Sequence, residues 1–142
     1  MIFQRVNRDD AEKVFLIGYN VAGATITANY PASWDVGTAD GIRVTQPVSA
    51  TLSLFVGLAN KDIVDSAYGL FQAYGYRASG YVLPSSTTAF AAGNILVPVN
   101  ALWSLAYSGA SDGKSGFIYA GEAVTTMTTP VAKTAKVFIR AL

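Results

Sequence analysis

The stretch from Ala67 to Leu83 constrains the fold of this chain most. Tyr68, Leu70, Gln72, Tyr74 and Tyr76 fall on one side of a period-two alternation, with Gly69, Phe71, Ala73, Gly75 and Arg77 on the other. That period belongs to a strand, and glycines inside a strand mark bulges, bends or close approach of another backbone. A strand this long and bent by glycine suits a small barrel or a strongly twisted sheet.

The remaining pattern is also that of strands. Val14–Tyr19 is nearly continuous and apolar, as a buried strand or a short helix would be. Asn20–Gly23 reads as a turn, and Ala24–Tyr30 alternates again with β-favouring Thr and Ile. Pro31–Gly41 reads as a connection carrying Trp34, and Ile42–Thr45 as a short strand stopped near Pro47. Thr51–Val56 places Leu52, Leu54 and Val56 on one face, and Lys61–Asp65 is the best candidate for a helical turn. Ile95–Val97 reads as a strand whose Pro98 points to an edge or a bulge. Leu102–Tyr107 and Phe117–Ala120 are expected strands joined by a loop at Ser108–Ser115 with Asp112-Gly113 as its turn. Lys136–Arg140 is a terminal strand. Turn signals recur throughout and no amphipathic helix of three turns appears. The expected fold is all-β, a compact antiparallel barrel or sandwich.

The length of 142 residues fits one core, and charge divides it unevenly. Arg5, Arg8, Asp9, Asp10, Glu12 and Lys13 crowd the opening, so residues 1–13 are expected to form a charged N-terminal arm before a single β domain at 14–142. Ile2, Phe3 and Val6 within the arm would gain nothing in water and point to a partner surface, with Arg5 and Arg8 at its rim. A charged fraction of 13% against 51% hydrophobic excludes disorder for most of the chain and suggests that a partner covers part of the outside. A net charge of +1 offers no field for nucleic acid. The apolar run Leu52–Ala59 is too short to span a membrane, and Met1–Arg5 has no secretory-signal pattern, so a soluble protein made in the cytoplasm is expected.

Chemistry is sparse. With no cysteine and no histidine, disulfides, thiolate nucleophiles, Cys/His zinc sites and His-based triads are excluded together. Gly109-Ala110-Ser111-Asp112-Gly113 has the spacing of a nucleophile elbow, but Ser111 lacks a histidine base and Gly116–Tyr119 reads as strand where a helix is needed. Gly113-Lys114-Ser115 after Gly109 imitates a phosphate loop with one residue too few between its glycines and no helix to follow. Asp62 and Asp65 would share a face of a helical turn, yet with Asn60 they fall short of a calcium site and read as caps facing water. Asp35, Asp40, Asp112 and Glu122 are scattered among turns. No enzyme activity, metal or cofactor is expected. Tyr68, Tyr74 and Tyr76, with Tyr81 nearby, read as core or as an interface between subunits, since tyrosine is favoured at interfaces and only Arg77 is at hand to hold a nucleic acid.

Several segments resemble the decoration or cement proteins that sit on the heads of tailed phages. They are Gly23–Pro31, Leu54–Ala59 followed by Asp62-Ile63, Ala67–Tyr76, Ala91–Val99 and Gly116–Ala123, all turn-and-strand patterns. The resemblance implies a β-rich virion protein, often a homotrimer, bound to the major capsid protein on the outer capsid surface and stabilising that shell. No nucleic acid or membrane partner is expected. A second reading is a carbohydrate- or receptor-binding β module using Trp34, Trp103 and the tyrosines as a platform; a hydrolase using Ser111 or the scattered carboxylates ranks last.

Overall fold

The structure, a computed structural model, describes residues 12–38, 40–84, 89–108, 118–126 and 131–141. These residues form nine strands and no helix: β1 (Val14–Asn20), β2 (Pro31–Trp34), β3 (Arg43–Thr45), β4 (Phe55–Ala59), β5 (Tyr68–Val82), β6 (Ile95–Pro98), β7 (Leu105–Tyr107), β8 (Ile118–Ala120) and β9 (Lys133–Arg140). Among the described residues, no helix is long and apolar enough to cross a membrane.

The strands form one sheet in the order β1-β3-β2-β4-β5-β7-β6-β8-β9, and β5 pairs in addition with β1 and β9. Those two extra pairings close the sheet on itself twice, giving two five-stranded rings that share β5. The length of β5 makes this possible. Its first half lies between β1 and β4, as in Leu16↔Phe71 and Ala59↔Phe71. Its second half pairs with β9 from Tyr74 onward and meets β7 at Val82. The bend expected of its glycines falls at the change of partners. Gly75 adopts φ 102°, and a β-bulge interrupts the β5–β9 ladder between Arg77 and Gly80.

Each ring has its own core. Ile26, Val44, Val56, Ile63 and Phe71 fill the first, and Leu96, Leu105, Ile118, Val137 and Ile139 centre the second. β4 joins them, because every one of its residues is buried. Val56 and Ala59 enter the first core, and Phe55 and Leu58 enter the second. The change of phase sits at Gly57, which lies directly against the Gln72 carbonyl of β5, leaving no room for a Cβ. A strand buried on both faces ties the rings into one domain. β9 shows the plainer pattern, with Ala135, Val137 and Ile139 inward and Lys136, Phe138 and Arg140 outward.

The all-β class agrees with the sequence reading, although two pairings, β1–β3 and β5–β7, are parallel. Several local readings need correction. Ala24–Tyr30 is not a strand; only Ile26 forms a bridge, antiparallel to Ile63. Side chains take the backbone groups that a ladder would use: Ala28 N–H donates to Asp62, Gly23 N–H to Asp65, and the Asn20 amide to the Ala24 carbonyl. Asn29, at φ 73°, then turns the chain into β2. Lys61–Asp65 forms no helical turn, because Ile63 is held extended by that bridge. Pro31–Trp34 is a strand rather than a connection, its proline at the first position, where a missing N–H is tolerated. Thr51–Leu54 precedes β4 as a turn in which Thr51 bonds both the N–H and the carbonyl of Val48. Finally, β7 and β8 are not a hairpin, since β6 lies between them.

Candidate functional site

β1 and β5 carry the most exposed apolar surface of the described chain. Val14 and Leu16 are half-buried, Leu16 against the first core, so alternation turns Phe15, Ile17 and Tyr19 outward. In the antiparallel register Ile17 stands opposite Leu70 and Tyr19 opposite Tyr68, placing these side chains on one outer face. Ile17 is 64% exposed, Tyr68 66%, Leu70 45% and Phe15 37%. The Tyr19 and Tyr68 rings meet at 4.9 Å between centroids, tilted by 55°. No charged residue occurs in β1, or in β5 before Arg77.

Beside this face an open cleft of about 280 Å³ is lined by Asn60, Lys61, Asp62, Ile63, Tyr68, Gly69 and Leu70. Its carboxylate is already engaged, since Asp62 accepts the Ala28 N–H at 2.7 Å. Gly69 borders the Ile63 side chain so closely that a Cβ would collide with it. The cleft thus extends the apolar face, with Lys61 and Asp62 as an oppositely charged pair on its rim.

Behind the face lies a polar node centred on Arg77. Its Nε donates to Asn29 Oδ1 at 2.8 Å, its Nη2 to the Ala59 carbonyl at 2.9 Å and its Nη1 to Gln72 Oε1 at 3.2 Å. Gln72, itself buried, donates onward to the carbonyls of Tyr74 and Tyr76. Burial lowers the Arg77 pKa from its ordinary value, and among the described residues no carboxylate lies within ion-pair distance of it. With these three donors directed at protein oxygens, the node locks the seam between β4, β5 and the Asn29 turn.

The three interface tyrosines expected from sequence are not one cluster. Tyr68 belongs to the exposed face with Tyr19, while Tyr74 is half-buried and packs edge-on against Phe138 at 5.5 Å. Tyr76 stands opposite Phe138 in the β5–β9 ladder and is partly exposed. Trp34 and Trp103 are half-buried against the first core, and the Trp103 indole stacks on Tyr30 at 5.7 Å. The arm residues Ile2, Phe3, Arg5, Val6 and Arg8 lie outside the described residues, as do Ser111 and Lys114. The backbone of Glu12 and Lys13 passes directly against Gly75, so the end of the expected arm is packed on the domain.

Two further described carboxylates, Asp40 and Glu122, hold local structure. Asp40 accepts the N–H groups of Ile42 and Arg43 and pairs with Arg43 Nε at 3.2 Å. The Arg43 and Ile42 N–H bonds hold its pKa below the usual carboxylate range. Glu122 accepts the Lys136 N–H and pairs with the Lys136 ammonium at 3.7 Å. Among the described residues no group of three or more acidic side chains is arranged to hold a metal. The sequence reading missed Phe15 and Ile17, because a continuous apolar run looks the same whether one face or both are buried. Comparison of the sequence with protein-family models and with curated proteins finds no match.

Proposed function

We propose that this chain is a structural virion protein, a decoration or cement protein that binds and stabilises a shell of major capsid protein from its outer surface. The observation that carries this reading is the uncharged outer face of β1 and β5, where Phe15, Ile17, Tyr68 and Leu70 remain exposed on a domain whose rings are otherwise closed. Such a face on a small domain is the mark of a protein–protein contact. The resemblance of Gly23–Pro31, Ala67–Tyr76 and Ala91–Val99 to phage head proteins supplies the kind of partner. The rival reading, a carbohydrate- or receptor-binding module, calls for open indole faces, whereas Trp34 and Trp103 are half-buried.

Purified protein added to capsids that lack it tests the proposal. Co-sedimentation with the shells and a higher temperature of shell disruption are expected. Absence of binding, with the protein shown folded by its melting curve, would overturn it.

A further inference from the structure

The backbone of β1 shows a second feature of the same region. Tyr19 N–H donates to the Ile42 carbonyl and Val21 N–H to the Val44 carbonyl, both on the β3 side, while Asn20 N–H donates to Ala67 on the β5 side. Because backbone groups alternate in direction along a strand, the N–H and C=O of Phe15 and Ile17 point to the β3 side as well. β3 reaches only Tyr19 and Asn20, with Ile42 beside it. From Val14 to Ile17, therefore, no described strand lies along that edge. Among the described residues that edge carries none of the usual protections against pairing: no charge, no proline, and a bulge only on the β5 side between Val14 and Phe15.

We propose that copies of this chain associate through β1, its open edge and its outer face meeting a second copy. The occupant follows from the chemistry of the surface. Phe15, Ile17, Tyr68 and Leu70 expose roughly 400 Å² of apolar area, the size of the largest patch on a typical monomer. Two such faces, with the flanking cleft and the strand edges, approach the roughly 1,200 Å² at which stable interfaces begin. The face is uncharged, so it meets its own copy without like-charge conflict. Lys61 and Asp62, adjacent on its rim and opposite in sign, allow each copy to offer both partners of a rim ion pair. A charged partner would instead leave its charges unpaired there. This inference rests on the same outer face as the proposed function and assigns it a second copy as partner, but its test contains no shell, so failure to bind capsids leaves it standing.

The experiment is the mass of the free protein by sedimentation or light scattering between roughly 1 and 100 µM, the range in which interfaces of this size are populated. Wild type is expected to carry the mass of two or three chains. Ile17→Lys and Tyr68→Lys, both at exposed positions, are expected to give one chain that still unfolds cooperatively, its midpoint lower only by the stabilisation that association had added. Ile17→Thr, which keeps the β-branched shape, is expected to weaken association roughly tenfold and serves if the lysine variant misfolds. Val131→Lys, exposed elsewhere, is expected to remain assembled. A monomeric wild type across the range, or folded Ile17→Lys and Tyr68→Lys variants that keep the wild-type mass, would overturn the proposal.

Discussion

Replacing Arg77 by methionine is expected to lower stability by about 2–4 kcal/mol, and the reason lies in what is left behind rather than in the charge removed. Methionine fills much of the volume of the arginine stem, so the packing loss is small. Of the three acceptors at good distance, Asn29 is half-buried and can turn to water, and the Ala59 carbonyl keeps the Asn29 N–H at 2.9 Å. Gln72 Oε1 has no such alternative, since the residue is buried and its amide nitrogen is committed to Tyr74 and Tyr76. An orphaned buried acceptor costs roughly 1–3 kcal/mol, and the lost charge-assisted bonds about 1 kcal/mol more after solvation of the half-buried cation is restored. For a domain of this size each kcal/mol moves the midpoint by roughly 3–4 °C, so the midpoint of thermal unfolding followed by circular dichroism should fall by about 6–16 °C. Arg77→Lys, which keeps the charge but loses the fork, should lie between wild type and methionine. A methionine variant that melts at or above the wild-type temperature would refute the reasoning. It would show that an arginine held by these neutral oxygens costs more through desolvation than its hydrogen bonds return.

Phe71→Ala, which empties the largest buried side chain of the first core, should cost about 3–5 kcal/mol by urea titration. Gly75→Ala meets both φ 102° and the Glu12 carbonyl and should destabilise by about 2–4 kcal/mol, whereas Gly23→Ala, at φ 70° with nothing near its Cβ, should cost about 1 kcal/mol in the same assay. Asp40 has a folded pKa below its unfolded value, so its stabilisation is present above the unfolded pKa and is lost as pH falls through the folded one. Melting curves below about pH 4 should therefore decline less steeply for Asp40→Asn, which keeps the acceptor oxygen but cannot titrate, than for wild type.

What could be read from the sequence was set by how far apart the deciding partners lie. β5 and β9 announce themselves because a period of two is local, and each burial pattern follows from it over several residues. Asp62 and Asp65 were legible as capping carboxylates but not as caps of a distant turn, because Ala28 and Gly23 lie 34 and 42 positions from them. Ala24–Tyr30 has strand composition and is drawn off the ladder by those same carboxylates. β7 and β8 read as a hairpin because neighbours in sequence are the first candidates for pairing. The competing claim of β6 on both is a matter of tertiary fit that no local signal carries.

The candidate site depended on such a non-local fact. A continuous apolar β1 is what a fully buried strand would also look like; among the described residues its outer face is uncovered, and no strand lies along its edge from Val14 to Ile17 because β3 starts only beside Tyr19. That start has a local cause. Asp40 accepts the N–H groups of Ile42 and Arg43, which turns the chain at Asp40-Gly41 and fixes the start of β3 beside Tyr19. Pro47 follows two residues after β3 ends at Thr45 and offers no donor with which to continue the ladder. Three residues of strand between an aspartate turn and a proline can close the first ring at Tyr19 and Asn20 and no further. Because β3 runs parallel to β1, only residues before Arg43 could run back along Val14 to Ile17, so that edge is a consequence of where one carboxylate turns the chain, while Pro47 limits β3 at its other end. Its availability for pairing follows from the way the ring is closed, not from any residue type within β1 itself.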